Sequence, residues 1–194
     1  RLMHALPAAA PPAPQRQLLV GSSLAVVAMF MLTGGMLAVW LLQRTRAIDD
    51  TGTWVPDGVT IAEVPTNVML ISFIGICVFA QWAVYAAHRR DRGHTALALG
   101  ALFLVALLVI NAQAFTWYEM GVAIAEGPYG PMFYAVTGMF VALMIVGLLF
   151  TTVAAFRYIG GRVGDEELLI AHAIYWYAMA AVYSAVWFVV YVTK

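Results

Sequence analysis

The amino-acid sequence predicts an all-α integral membrane protein, built as a bundle of five transmembrane helices. Of its 194 residues, 63% are hydrophobic and only 10% are charged, whereas soluble domains contain about 25% charged residues. Five apolar stretches are each long enough for the roughly 20 helical residues that cross the hydrocarbon core of a bilayer. The stretches lack the period-2 alternation of transmembrane β-strands, and helices satisfy their own backbone hydrogen bonds in lipid.

The five predicted helices follow one another with polar connections between them. They span about residues 18–43, 66–87, 95–118, 130–156 and 168–193. The first connection is the longest and contains glycine, proline and four acidic residues, whereas the second is the short basic turn HRRDRGH. We therefore expect residues 18–194 to form one transmembrane domain.

Residues 1–17 precede the first helix and are rich in proline and alanine. Pro7, Pro11, Pro12 and Pro14 would interrupt the apolar region of a signal peptide, and the long apolar run begins only after them. We interpret residues 1–17 as an extended N-terminal arm that leads into the first helix.

Basic residues predict the orientation of the chain in the membrane. The side of the N-terminus carries seven of the ten lysine and arginine residues, and the other side carries Arg44, Arg46 and Lys194. Because positively charged loops stay on the cytoplasmic side, we expect the N-terminus in the cytoplasm and the C-terminus outside. Trp40 and Trp54, with Trp117 and Tyr118, then fall near the outer interface, where they are expected to act as aromatic anchors.

Composition also excludes several classes of function. The formal net charge is zero, so no basic field is present to attract nucleic acid. Cys77 is the only cysteine and sits in an apolar run, which excludes internal disulfides and cysteine-based metal sites. The sequence contains no phosphate-binding loop, catalytic triad or pair of carboxylates at mid-membrane. We therefore predict no catalytic, cofactor-binding or metal-ligating residue, and no catalysis by this chain alone.

Ionisable side chains are almost absent from the predicted spans. His88, His94 and His172 fall at the ends of predicted helices, on the same side of the membrane as the N-terminus. We interpret them as interfacial or hydrogen-bonding residues. The alternative is a heme held by His88 and His172, which requires adjacent helices that present the two histidines at matching depth.

Uncharged polar residues within the spans are the remaining candidates. Side-chain amides in hydrocarbon commonly bond across helices, so we expect inter-helix polar contacts at Gln81, Asn111, Gln113 and Thr116. The alternative is a small transporter or channel whose polar path includes Asn111 and Gln113. Against a path, the sequence has no clear inverted repeat and no pair of broken helices.

Three stretches resemble subunit III of heme–copper terminal oxidases in its five-helix form. GPMFYAVTGMF, residues 130–140, is similar to the start of that family's penultimate helix, with its G-x-x-F-Y-x-x-T-G-F pattern. FAQWAVYAAHRRD, residues 79–91, resembles the end of the second helix and its basic turn. YWYAMAAVYSAVWFVVYV, residues 175–192, resembles the last helix. Helix count and predicted topology agree with the same family.

The departures from the family pattern fall on its buried polar residues. In the first and third helices, Val27 and Thr116 stand where the family has glutamates. In the fourth helix, Phe140 and Leu143 replace two histidines; in the last, Tyr177 and Ala180 replace a histidine and an aspartate. A whole polar network can be exchanged for packed apolar residues at little cost, whereas the loss of one partner is costly. The pattern indicates a retained scaffold without the polar function.

The resemblance implies a non-catalytic component of a respiratory oxidase complex or supercomplex in the plasma (inner) membrane of a bacterium. It implies no redox metal in this chain, heme and copper in partner subunits, a catalytic subunit I-like partner and bound phospholipid. An accessory subunit of a nitric oxide reductase is a related alternative. We expect lipid or subunit contacts at Trp82, Arg89, Arg90, Trp117, Tyr134, Phe140, Tyr175 and Trp176.

Overall fold

The computed structural model describes residues 16–125, 127–161 and 166–193. It contains the helices α1 (Gln17–Thr51), α2 (Glu63–His88), α3 (Arg92–Met120), α4 (Tyr129–Ile159) and α5 (Glu166–Val186). The π-helical segment Trp187–Val192 continues α5. Each of the five spans is long and apolar enough to cross a membrane, which confirms the predicted fold class. The predicted arm of residues 1–17 lies almost wholly outside the described residues.

Helix α5 is the most central of the five. It packs against α1, α2 and α4, while α3 packs against α2 and α4. Half of the apolar window of α5 is buried within the bundle, a larger share than in any other span. In lipid, helices associate through close packing and hydrogen bonds rather than through the hydrophobic effect. The contacts of α5 therefore determine how the bundle is held together.

Helix α1 ends at Thr51 rather than near the predicted end at Gln43. No helix-breaking residue intervenes before Gly52, whose left-handed φ of 79° and N–H bond to the Ile48 carbonyl end the helix. Its 35 residues extend about 52 Å, which exceeds the roughly 30 Å of hydrocarbon. The last turns of α1, Arg44 to Thr51, account for about 12 Å of this length and carry the charged residues of the helix beyond its apolar part.

The turn between α2 and α3 is shorter than predicted, because α2 continues to His88 and α3 already begins at Arg92. Arg90 adopts a left-handed φ of 56°, and Asp91 caps α3 by accepting a bond from the His94 backbone N–H at 3.1 Å. The His94 ring Nδ1 lies 2.6 Å from the second Asp91 carboxylate oxygen. These bonds from His94, the backbone one first, lower the pKa of the Asp91 carboxyl below its usual range.

The expected anchoring role of Trp40 and Trp54 was wrong. Both are buried, at 1% and 7% exposure, and they form an aromatic trio with Tyr129. The ring centroids are 5.2 to 5.5 Å apart with edge-on geometry, the arrangement that aromatic rings prefer. The long connection after α1 folds back and places Trp54 on Trp40. The general preference of tryptophan for the membrane–water interface does not predict this contact. Tyr118, by contrast, is 83% exposed.

Candidate functional site

The positions where the family pattern has polar side chains lie in three different environments. Phe140 is fully buried, with its ring centroid 4.9 Å from that of Tyr183 and 6.2 Å from that of Phe73. Thr116 is buried and donates to the Ala112 carbonyl of its own helix at 2.9 Å. Val27 is 53% exposed on α1. Aromatic packing therefore fills the interior around Phe140, where the resemblance led us to expect a histidine.

The interface of α4 with α5 contains a buried polar network of Thr151, His172 and Trp176. The Trp176 indole N–H donates to His172 Nε2 at 2.9 Å, and Thr151 Oγ1 lies 2.8 Å from that nitrogen. All three side chains are at most 1% exposed. The Trp176 indole nitrogen also lies 3.1 Å from Thr151 Oγ1, which closes the set of contacts, and His172 Nδ1 has no partner among the described residues. His172 thus serves packing between α4 and α5.

Close approach of α4 and α5 at this point depends on Gly147. A Cβ added there would lie 2.9 Å from both Trp176 Cζ2 and Tyr175 Cε1, closer than carbon atoms normally pack. The Tyr175 hydroxyl donates to the Leu143 carbonyl at 2.6 Å. Trp176 and Tyr175, which were predicted to contact lipid or another subunit, both make contacts inside this chain.

Replacing Thr151 by valine is expected to lower the free energy of unfolding by about 0.6–1.7 kcal/mol, the range for hydrogen bonds between membrane helices. The change removes the hydroxyl that contacts His172 and Trp176. The matched control is Thr152→Val, because Thr152 bonds only to the Leu148 carbonyl of its own helix. The free energy of unfolding of both variants is measured by SDS titration in mixed micelles, with limited proteolysis reporting the folded fraction. Equal effects of the two substitutions would contradict a cross-helix role for Thr151.

Helices α3 and α5 are joined by Gln113. Its amide lies 3.3 to 3.4 Å from the Tyr191 hydroxyl, and both side chains are buried. Asn111, two residues earlier, is exposed and donates to the Leu107 carbonyl of its own helix at 2.9 Å. The structure therefore does not bring Asn111 and Gln113 together on one polar surface.

Helices α2 and α5 present polar pairs on their exposed side. The Tyr177 hydroxyl donates to Gln81 Oε1 at 2.6 Å, and the Trp187 indole N–H donates to Asn67 Oδ1 at 2.9 Å. Between these pairs lies an apolar groove of about 490 Å³, lined by Ile71, Ile74, Cys77, Ala180 and Ser184 among others. We call this surface, with its two pairs and its groove, the α2–α5 seam.

A second groove lies between α3 and α4 and has a volume of about 670 Å³. Its lining is almost entirely apolar and includes Leu97, Gly100, Leu104, Ala155 and Phe156. The groove is open at the outer surface of the bundle.

The other residues predicted to contact lipid or subunits lie at both ends of the bundle. Trp117 donates to Thr137 Oγ1 at 2.9 Å, and the Tyr134 hydroxyl donates to the Val122 carbonyl at 3.0 Å. At the opposite end, the Arg89 guanidinium lies 5.6 Å from the ring centroid of Tyr85. Arg90 is exposed and Trp82 is half-buried.

The three histidines within the described residues occupy different environments. His88 is exposed and its Nδ1 lies 3.1 Å from a Glu166 carboxylate oxygen, while His94 bonds to Asp91. His172 is buried. Across residues 16–125, 127–161 and 166–193, no three His, Cys, Asp or Glu side chains converge. His88 and His172 are each engaged with side chains of this chain.

Sequence reasoning missed the network of Thr151, His172 and Trp176 and the partners of the amides. One signal was present: His172 and Trp176 are four residues apart, which places both on one face of a helix. No comparable signal in the sequence indicated where the side chains of Trp187 and Tyr191 lie, because their direction depends on the π-helical segment.

Comparisons with known proteins all point to one family. The family model described as cytochrome c oxidase subunit III matches residues 10–194. Cytochrome c oxidase subunit 3 of Rattus norvegicus is 28% identical over 189 residues, 94% of this chain and 70% of that protein. The Cyprinus carpio protein of the same name is 31% identical, over 73% of this chain and 54% of its own length. A probable cytochrome c oxidase subunit 3 of Rickettsia bellii is 28% identical over 66% of this chain and 43% of its own length.

Proposed function

Because the chain belongs to the cytochrome c oxidase subunit III family, we propose that it is a non-catalytic subunit of a heme–copper oxidase. The chain spans between 43% and 70% of the length of the curated relatives described above. The match of the family model to residues 10–194 carries the proposal. It is supported by the aromatic contacts of Phe140 with Phe73 and Tyr183, which give a packed apolar interior at a position where the resemblance led us to expect a histidine.

In this proposal the chain supports the complex structurally. It packs beside a catalytic subunit I-like chain that holds the heme and copper, and it carries no redox metal itself. The complex lies in the plasma (inner) membrane of a bacterium, with the N-terminus of this chain in the cytoplasm. The polar residues that handle protons elsewhere in the family are replaced here, so proton uptake depends on the partner chain.

Bound phospholipid is part of the proposed role. The groove between α3 and α4 offers about 670 Å³ of almost wholly apolar surface, which suits an acyl chain. At the end of α2, Arg89 and Arg90 are exposed, and cations at this level attract anionic headgroups. Lipid held in this way would fill the space between this chain and its neighbours.

Purification of the affinity-tagged full chain from its native membrane in mild detergent tests the function. Heme-bearing chains are expected to remain bound, so the complex absorbs in the Soret region. The same chain, separated by a harsher detergent, is expected to show no Soret band. Stoichiometric heme in the isolated chain, or recovery without any heme-bearing partner from membranes that contain the oxidase, would overturn the proposal.

A further inference from the structure

The α2–α5 seam exposes two side-chain amides in a region that faces the bilayer. Asn67 and Gln81 are both exposed, and Tyr177 beside Gln81 is 39% exposed. Fourteen residues separate the two amides, which corresponds to about 21 Å along α2 and nearly the same face of the helix. The groove fills the distance between them.

Among the described residues, each amide has a hydrogen-bond partner at only one end of its carboxamide group. A tryptophan indole can only donate, so Asn67 Oδ1 must face Trp187 and its NH₂ group is left outward. Gln81 meets a single hydroxyl, that of Tyr177. Whichever way its carboxamide is turned, one polar end has no partner among the described residues.

The depth of Gln81 in the bilayer determines which kind of partner can form a hydrogen bond with the unpaired end of its amide. Helix α2 contains 26 residues, and Gln81 lies about 8 Å from its midpoint, inside a hydrocarbon core that extends about 15 Å to either side. An acyl chain offers no hydrogen-bonding group at that depth. A second helix does, through its polar side chains or through a carbonyl left accessible beside a small residue.

We propose that the α2–α5 seam is the docking site for a transmembrane helix of a different subunit of the same complex. The helix lies along the groove and presents hydrogen-bonding groups about 21 Å apart, one opposite Asn67 and one opposite Gln81. Its apolar side chains fill the groove lined by Ile74, Cys77 and Ser184. This inference rests on the proposed function, because it takes the partner from the oxidase complex.

Site-directed photocrosslinking in the intact complex tests the docking site. A benzophenone amino acid replaces Ile74, which is 66% exposed in the groove, and in a matched control replaces Leu108, which is 65% exposed on α3. Irradiation at position 74 is expected to join this chain to a membrane-spanning peptide of a different chain of the complex, at least tenfold more than at position 108. Equal yields at both positions, lipid adducts alone, or a crosslink to a second copy of this chain would overturn the proposal.

A second measurement addresses the amide. Gln81→Leu is expected to reduce the fraction of partner chain retained after detergent washing by about three- to tenfold, the loss of one inter-helix hydrogen bond. The control is Asn111→Leu, because Asn111 is also exposed but its amide bonds to its own helix. Retention unchanged by Gln81→Leu would contradict the role of this residue.

The two proposals fail in different ways. If no heme-bearing chain accompanies this protein, the proposed function is wrong. If heme-bearing chains accompany it but position 74 forms no crosslink to a polypeptide of different sequence, only the docking site is wrong. The crosslinking variant keeps Gln81 and Asn67, so its outcome does not depend on the folding of an amide variant.

Discussion

Replacing Gly130 by alanine is expected to lower the free energy of unfolding by about 2 kcal/mol. The added Cβ would overlap the Ala123 carbonyl oxygen and come within 3.1 Å of Ile124 Cα. Both are backbone atoms of the connection between α3 and α4, which the bond from Tyr134 to the Val122 carbonyl ties to α4. Overpacking of this kind costs up to about 3 kcal/mol, and the helix propensity of alanine recovers about 1 kcal/mol.

The control for Gly130 is Gly138→Ala in the same helix. A Cβ at Gly138 meets nothing within 4 Å, so this variant is expected to be unchanged or more stable by up to about 1 kcal/mol. SDS titration in mixed micelles measures both variants. If Gly130→Ala behaves like Gly138→Ala, the connection can shift without cost and the packing argument is wrong.

Gly147→Ala is expected to lower the free energy of unfolding by about 1–2 kcal/mol. The new methyl group would press against the rings of Trp176 and Tyr175, at 2.9 Å from each. Neither ring can turn away freely, since Trp176 is bonded to His172 and Thr151 and Tyr175 to the Leu143 carbonyl. The added methyl group is therefore expected to push α4 and α5 apart.

A double-mutant cycle separates this contact from a general effect of alanine. Trp176→Phe removes Cζ2 and Cη2, the two indole atoms nearest the new methyl group. Combined with Gly147→Ala, it is expected to recover about 1 kcal/mol relative to the sum of the single effects. Gly100→Ala on α3, where a Cβ would meet nothing within 4 Å, should leave stability unchanged or slightly higher. Strict additivity of the pair would argue against direct contact at Gly147.

The sequence predicted the five helices because apolar stretches longer than the bilayer core leave few alternatives. It also predicted the basic turn between α2 and α3. The end of α1 was harder to predict, because residues 44 to 50 include four charged side chains and were assigned to a loop. Charged residues indicate where the apolar span ends, whereas the helix continues to Thr51 and is terminated by the left-handed backbone of Gly52.

Contacts between helices were harder to predict than the helices themselves. Gln113 and Asn111 have the same type of side chain two positions apart, yet one reaches Tyr191 and the other its own backbone. Two positions rotate a helix by about 200°, so their environments depend on which face meets α5. Tyr191 reaches Gln113 from the π-helical segment, whose altered rotation no periodic pattern reveals.

The aromatic trio of Trp40, Trp54 and Tyr129 gives the chain a built-in optical reporter. Two of the six tryptophans of the chain belong to it, and their rings are fixed 5.2 Å apart and nearly perpendicular. Buried indoles emit at short wavelength, and rigid neighbouring rings give strong near-ultraviolet circular dichroism. A partial loss of both signals, with the contribution of the buried Trp176 retained, would report that the connection after α1 has left the start of α4, even while all five helices remain intact. The native chain thus distinguishes the opening of one end of the bundle from its unfolding, without any added label.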